Sequence, residues 1–157
     1  MTDVFSHICQ WLQQQKITYR YVHHEPTRTS ADAARVRGEP LEVGGKAILM
    51  KVDEEFLLFV LSAHRKINSS AMKKHFSAKK LRFATVDELL ERTGLVPGSV
   101  PPFGPPILPF HLHVDPSVLS NEKIAFNAGL LTDSVIMSVA DYQAIAGATV
   151  LEFASPE

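Results

Sequence analysis

Val4, Phe5, Ile8, Cys9 and Leu12 recur at helical spacing behind the capping residue Asp3, which predicts an amphipathic helix over residues 3–15. Cys9 falls on its buried face, where a free thiol serves as a small core side chain. Ile17, Tyr19 and Tyr21 then alternate as a short strand that ends at the turn-like His23-His24-Glu25-Pro26. Residues 30–37 read as a helix capped by Ser30 and closed by Gly38. Two apolar runs, Lys46 to Val52 and Phe56 to Leu61, flank Asp53-Glu54-Glu55 and predict a hairpin. The second run, FLLFVL, is apolar on both faces and so predicts a central strand covered on both sides.

Ser69 to His75 predicts a short helix and Leu81 to Ala84 a strand. Thr85-Val86-Asp87-Glu88 has the form of a capping box, in which the threonine hydroxyl serves one orphan amide and the glutamate reaches back to another. Behind it, Val86, Leu89 and Leu90 are expected to face the core and Gly94 to end the helix. Residues 94–110, GLVPGSVPPFGPPILPF, hold six of the ten prolines and three of the eight glycines, so regular structure cannot persist there. Leu108, Phe110, Leu112 and Val114 alternate into a strand, Asp115-Pro116 starts a helical turn, and Lys123 to Phe126 and Ser134 to Met137 predict further strands. Ser138 caps a last helix, and Thr149 to Phe153 makes a final strand. Helices and strands interleave without a βαβ rhythm, which gives an α+β class with a mixed, strongly twisted sheet.

The 157 residues, 45% of them hydrophobic, suffice for one domain with an ordinary core. Cys9 stands alone, so neither an internal disulfide nor a cysteine-based zinc site can form, which fits a reducing compartment; the expected location is the cytoplasm. No stretch approaches the ~20 apolar residues of a membrane span, and the first residues lack the pattern of a signal peptide, so no membrane partner is expected. The net charge of −1 hides a strong asymmetry. Between Phe56 and Val86 there is no acid, while Arg65, Lys66, Lys73, Lys74, Lys79, Lys80 and Arg82 give +7; nine cations against seventeen acids leave −8 on the remainder. A one-sign patch of this kind is what nucleic-acid phosphates attract. It lacks the aromatic pattern of an RNA-recognition module, so the backbone rather than the bases would be held.

Several chemistries are absent. Pro97-Gly98-Ser99-Val100-Pro101 lacks the second glycine of a nucleophile elbow, and neither a phosphate-binding loop nor a dinucleotide fingerprint occurs, so no nucleotide cofactor is expected. His111-Leu112-His113 has a spacing that sometimes binds metal, but an outward polar row opposite an apolar row accounts for it better. Lys46 follows Gly44-Gly45 at the mouth of an apolar strand. It reads either as an exposed strand end or as an ammonium aimed across a cleft at a carbonyl or phosphate oxygen. The proline-glycine segment is either a rigid crossing loop or a wall whose main-chain amides approach a ligand closely.

HEPTRTSADAA, GGKAILMK, KKLRFATVDEL, TGLVPGSVPPFG and KIAFNAGLLTDSVIMSVADY, in that order and spacing, resemble the YbaK and prolyl-tRNA synthetase associated editing-domain family from about Tyr19 to Ile145, and within it the free-standing YeaK-type branch. The resemblance implies a compact α+β fold around a six- to seven-stranded mixed barrel. The implied activity is metal-free and cofactor-free hydrolysis of the ester that joins a wrong small amino acid, alanine-, serine- or threonine-like, to tRNA. It assigns Lys46 to the terminal nucleotide or substrate carbonyl, and Gly94, Pro97, Gly98, Phe103 and Gly104 to the loop framing the aminoacyl pocket, with amides around Gly98 to Gly104 supplying electrostatics. Thr27 and Thr29 fall at pocket positions, Asn127 and Asp133 lie nearby in sequence, and Arg65 to Arg82 fits the acceptor stem.

Two departures stand out. Alanine editors usually carry asparagine after the lysine and a His-Pro-Leu type turn late in the chain, where this sequence has Ala47 and Phe126-Asn127-Ala128-Gly129. The expected partner is a mischarged aminoacyl-tRNA, met either alone or beside an aminoacyl-tRNA synthetase. The alternative, motivated by the missing histidine, is a tRNA- or RNA-binding protein that keeps the fold without the chemistry.

Overall fold

The computed structural model describes residues 3–156. Helix α1 (Val4–Gln14) is capped by Asp3, whose carboxylate accepts from Ser6 N at 2.7 Å, and buries Ile8, Trp11 and Leu12. Cys9 is only half-buried, because Ile8 and Leu12 occupy the centre of the stripe. Strand β1 (Tyr19–His23) starts two residues later than the alternation suggests. Helix α2 (Ser30–Arg37) is capped by Thr29 and not by Ser30: Thr29 Oγ1 accepts from Asp32 N at 3.0 Å.

The hairpin is β2 (Gly45–Val52) with β3 (Glu55–Ser62), antiparallel and in register from Gly45↔Ser62 to Val52↔Glu55. A short β4 (Arg65–Ile67) leads into α3 (Ser69–Phe76), and β5 (Leu81–Phe83) pairs with the far end of β2. In α4 (Val86–Thr93) the capping box forms as expected, with Thr85 and Glu88 exchanging both hydrogen bonds, and Gly94 is its C-cap. Only Leu89 of its apolar residues is buried; Val86 and Leu90 are 60% and 52% exposed, since this two-turn helix meets the core along a single line.

After the proline-glycine segment, β6 (Leu112–Val114) is shorter than the alternation from Leu108 predicts. There follow α5 (Pro116–Leu119), β7 (Lys123–Leu130), β8 (Asp133–Ser138), α6 (Val139–Ala146), β9 (Thr149–Val150) and β10 (Ala154–Pro156). Of the expected last strand, Thr149 to Phe153, only Thr149 and Val150 are in a strand; β10 begins after the fully buried Phe153.

The strands form three sheets, ordered β5-β2-β3-β6-β9, β1-β8-β7 and β10-β4, so the class is α+β and the barrel implied by the resemblance does not close. In the five-stranded sheet β3 pairs antiparallel with β2 and parallel with β6. Both faces of FLLFVL are covered, as its composition predicts: Leu58 and Val60 join a core with Trp11, Phe103 and Tyr142, while Leu57, Phe59 and Leu61 join Met50, Met72 and Phe153. An isolated bridge, Gly44 with Ala125, joins the edge of this sheet to β7 of the three-stranded sheet. At this seam the sheets frame a cavity.

Candidate active site

The cavity has a volume of about 480 Å³ and is lined from four directions. The segment before α2 contributes Thr27 and Thr29, the start of β2 contributes Gly44 to Ile48, the proline-glycine segment contributes Pro97, Gly98 and Val100, and β7 contributes Asn127. Lys46 stands at its wall, and among the described residues no carboxylate comes within 4.0 Å of its ammonium. Gly98 has φ +88°, a conformation open to glycine and strained for other residues, so the chain can turn inward at this wall.

Asn127 fixes that turn. Its Nδ2 donates to the Gly98 carbonyl at 2.8 Å, while its Oδ1 accepts from Arg37 Nη2 and from Ser134 Oγ, each at 3.1 Å. Arg37 Nε donates to Ser134 Oγ at 2.9 Å, and His24 Nε2 meets the same hydroxyl at 2.7 Å. The Arg37 side chain is buried and also lines the cavity; burial pulls its guanidinium down to about 10. The hydrogen-bonded network thus ties α2, β7 and β8 to the loop that walls the site.

The structure brings together six of the residues expected at the pocket: Thr27, Thr29, Lys46, Pro97, Gly98 and Asn127. It places four elsewhere. Phe103 is fully buried, edge-on to Trp11 at 5.1 Å and to Phe126 at 5.3 Å, so its ring faces the core and not a ligand. A Cβ at Gly104 would lie 2.6 Å from the Phe110 carbonyl, so this glycine serves a close backbone approach. Gly94 closes α4. Asp133 sits behind the cavity, accepting from the Tyr21 and Thr132 hydroxyls and meeting His23 Nδ1 at 3.0 Å. Burial works to raise its pKa, but these hydrogen bonds outweigh it and the net direction is down; the same bond to Asp133 pushes Tyr21 up to about 12.

The basic segment divides: Lys79, Lys80 and Arg82 lie at the far end of β2, where the Lys80 carbonyl accepts from Asp53 N, whereas Arg65 and Lys66 follow Ser62, which pairs with Gly45 beside Lys46. Arg82 pairs with Lys51 in register, five residues from Lys46, or roughly 16 Å along the strand. Lys66, Lys73, Lys74, Lys79 and Lys80 are exposed. Arg65 is half-buried, with no hydrogen-bond partner at Nε among the described residues, and Arg82 is engaged by both Glu88 oxygens at 2.7 and 2.9 Å, so Arg82 is not a free phosphate binder in this conformation. His113 departs from expectation as well: it is buried, stacked on Phe59 at 5.0 Å and edge-on to Phe76 at 5.3 Å, because these rings cover its face of β6.

Sequence reasoning missed Arg37, Ser134 and His24. Arg37 reads as the ordinary basic last turn of a helix, and His23-His24 carries no spacing signal; only folding brings the three to Asn127.

The model of the aminoacyl-tRNA editing domain matches residues 24–145. This chain belongs to the aminoacyl-tRNA editing-domain family. The domain is 33% identical over 151 residues to the "Multifunctional Ser/Thr-tRNA deacylase ProXp-y" of Escherichia coli (strain K12), covering 90% of this chain and 87% of that protein. A shorter match, 31% over 75 residues, covers 48% of this chain and 13% of a proline–tRNA ligase of Staphylococcus aureus (strain Newman). The editing domain also superposes on the crystal structure of a candidate trans-editing enzyme for prolyl tRNA synthetase with a TM-score of 0.84 at 21% identity, covering 99% of both chains, which shows a shared fold. Among the described residues, no helix is long and apolar enough to cross a membrane.

Proposed function

We propose that this chain is a trans-acting deacylase that hydrolyses the ester of a small amino acid, alanine-, serine- or threonine-like, mischarged on tRNA. The observation that carries this reading is the Lys46 ammonium, without a carboxylate partner among the described residues, at the wall of the cavity that the Asn127-held Gly98 turn encloses. The family membership and the named activity of the Escherichia coli relative support it.

An aminoacyl ester is an activated acyl group, so hydrolysis needs positioning, an oriented water and stabilisation of the developing oxyanion. Lys46 would supply the last of these as a point charge with three donors. Water attacks the acyl carbon, the bond to the ribose oxygen breaks, and that oxygen takes up the proton, with the neighbouring ribose hydroxyl available as an internal acid or base. No protein nucleophile is required. The serines hydrogen-bonded to histidines, Ser62 with His64 and Ser134 with His24, are both fully buried and cannot meet an ester. A pocket of limited volume discriminates by size, as a second sieve does.

The exposed lysines of α3 and of the segment before β5 would hold the RNA backbone while the acyl end reaches the cavity. The cytoplasm, where aminoacyl-tRNA is made and used, is the matching location. The test incubates wild type and Lys46→Ala with mischarged Ala-, Ser- and Thr-tRNAs. Cleavage by wild type and its loss in the variant are expected; equal cleavage by both removes Lys46 from the chemistry. A wild type that binds tRNA with a steep salt dependence yet cleaves none is a binding protein on an editing fold.

A further inference from the structure

The charge of the cavity has a consequence for which acyl groups enter it. Its lining includes Arg28, Arg37 and Lys46 and, among the described residues, no aspartate or glutamate. Arg37 cannot swing away, because Asn127 and Ser134 hold both its Nη2 and its Nε. The carboxylates of the surrounding elements are committed or stand outside the lining. Asp32 of α2 lies 4.0 Å from Arg35, Glu39 pairs with Arg20 and Lys123, and Asp133 is engaged by Tyr21, Thr132 and His23. Glu25 and Glu42 are exposed and do not line the cavity, and His24 meets Ser134 behind the wall.

An α-ammonium entering this cavity faces the buried, fixed Arg37, the half-exposed Lys46 and the exposed Arg28, with no counter-ion in the lining among the described residues, and a like-charge encounter disfavours the charged form. A neutral amine, or a hydroxyl in its place, meets no such repulsion. Resting on the deacylase reading above, we propose that the cavity accepts the acyl group only with its α-substituent uncharged, and that α-hydroxyacyl esters of the tRNA terminal ribose are therefore a second substrate class. The reaction balances as before: water adds to the acyl carbon, the carbon–oxygen bond to ribose breaks with its electron pair on the ribose oxygen, and that oxygen takes the proton. The products are a hydroxy acid and uncharged tRNA.

The experiment compares seryl-tRNA with its α-hydroxy isostere, 2,3-dihydroxypropanoyl-tRNA, using wild-type protein. Each enzymatic rate is divided by the spontaneous hydrolysis of the same ester, because the amine itself alters ester reactivity. A free α-amine titrates near ~7.7–8.0, so the isostere should show an acceleration about tenfold or more above that of seryl-tRNA near pH ~6, the gap closing by pH ~8.5. A ratio at or below one near pH ~6, or one that does not change with pH, overturns the proposal. If neither ester is cleaved at either pH, the deacylase reading fails instead, so the two failures are distinguishable. Thr29→Asp provides a second arm, since aspartate also caps a helix and brings a carboxylate to the cavity wall. It should narrow the gap at the lower pH, and an unchanged gap assigns the discrimination to something other than cavity charge.

Discussion

Asn127 Nδ2 donates to the carbonyl of Gly98 at 2.8 Å, so a side chain on β7 sets the shape of a loop 29 residues away in sequence. Asn127→Ala removes that bond and also leaves Arg37 and Ser134 short of an acceptor. A loss of about 1–3 kcal/mol in urea denaturation is expected, together with a fall in deacylation. Asn127→Asp keeps the acceptor for Arg37 but not the donor to Gly98. It should recover only part of the lost stability, since its second oxygen faces the Gly98 carbonyl, while activity stays low, which separates the two roles.

Lys46→Ala should lower kcat/KM by about 10²-fold or more, the scale on which an electrostatic stabiliser of an oxyanion acts. Because Lys46 is half-exposed, its removal should leave unfolding within about 0.5 kcal/mol of wild type. A large drop in stability would mark Lys46 as structural.

His113 gives a pH signature. Burial first, and then His111 and His75, depress it from 6.5 to about 4 in the folded protein. Between those values the unfolded chain binds a proton that the folded one refuses, so stability is full above about 6.5 and is lost as pH falls toward 4. His113→Phe should flatten that limb in denaturation midpoints measured across the same interval.

Lysines and Arg82 should behave differently toward RNA. Replacing Lys73, Lys74, Lys79 and Lys80 with alanine should reduce the slope of log K against log salt by roughly 0.7–0.9 for each phosphate that is no longer neutralised. Arg82→Ala should change that slope less, since its guanidinium is already held by Glu88, a carboxylate kept down to about 2 by this bond.

Features whose cause is local were legible in the chain. The Thr85–Glu88 capping box depends on four consecutive residues, and FLLFVL announces its own burial on both faces. The motif residues Lys46, Pro97 and Gly98 also meet at one cavity. What stayed hidden is set by distant partners. Arg37 looks like any basic helix terminus until residues 90 and 97 positions away close over it. His113 looks outward-facing in a two-sided pattern, yet Phe59 and Phe76, distant in sequence, cover that face of β6 and bury it. The family resemblance assigns Phe103 to the pocket loop, while packing on Trp11 and Phe126 claims it for the core.

The bridge between Gly44 and Ala125 places the cavity where two sheets meet, so its shape is a joint property of both. Sheets that shift slightly against one another would keep their own ladders while distorting the pocket. Catalysis is then the first casualty of gentle heating: activity should fade while the circular dichroism of the strands is still intact, and the onset of inactivation becomes a thermometer for that junction.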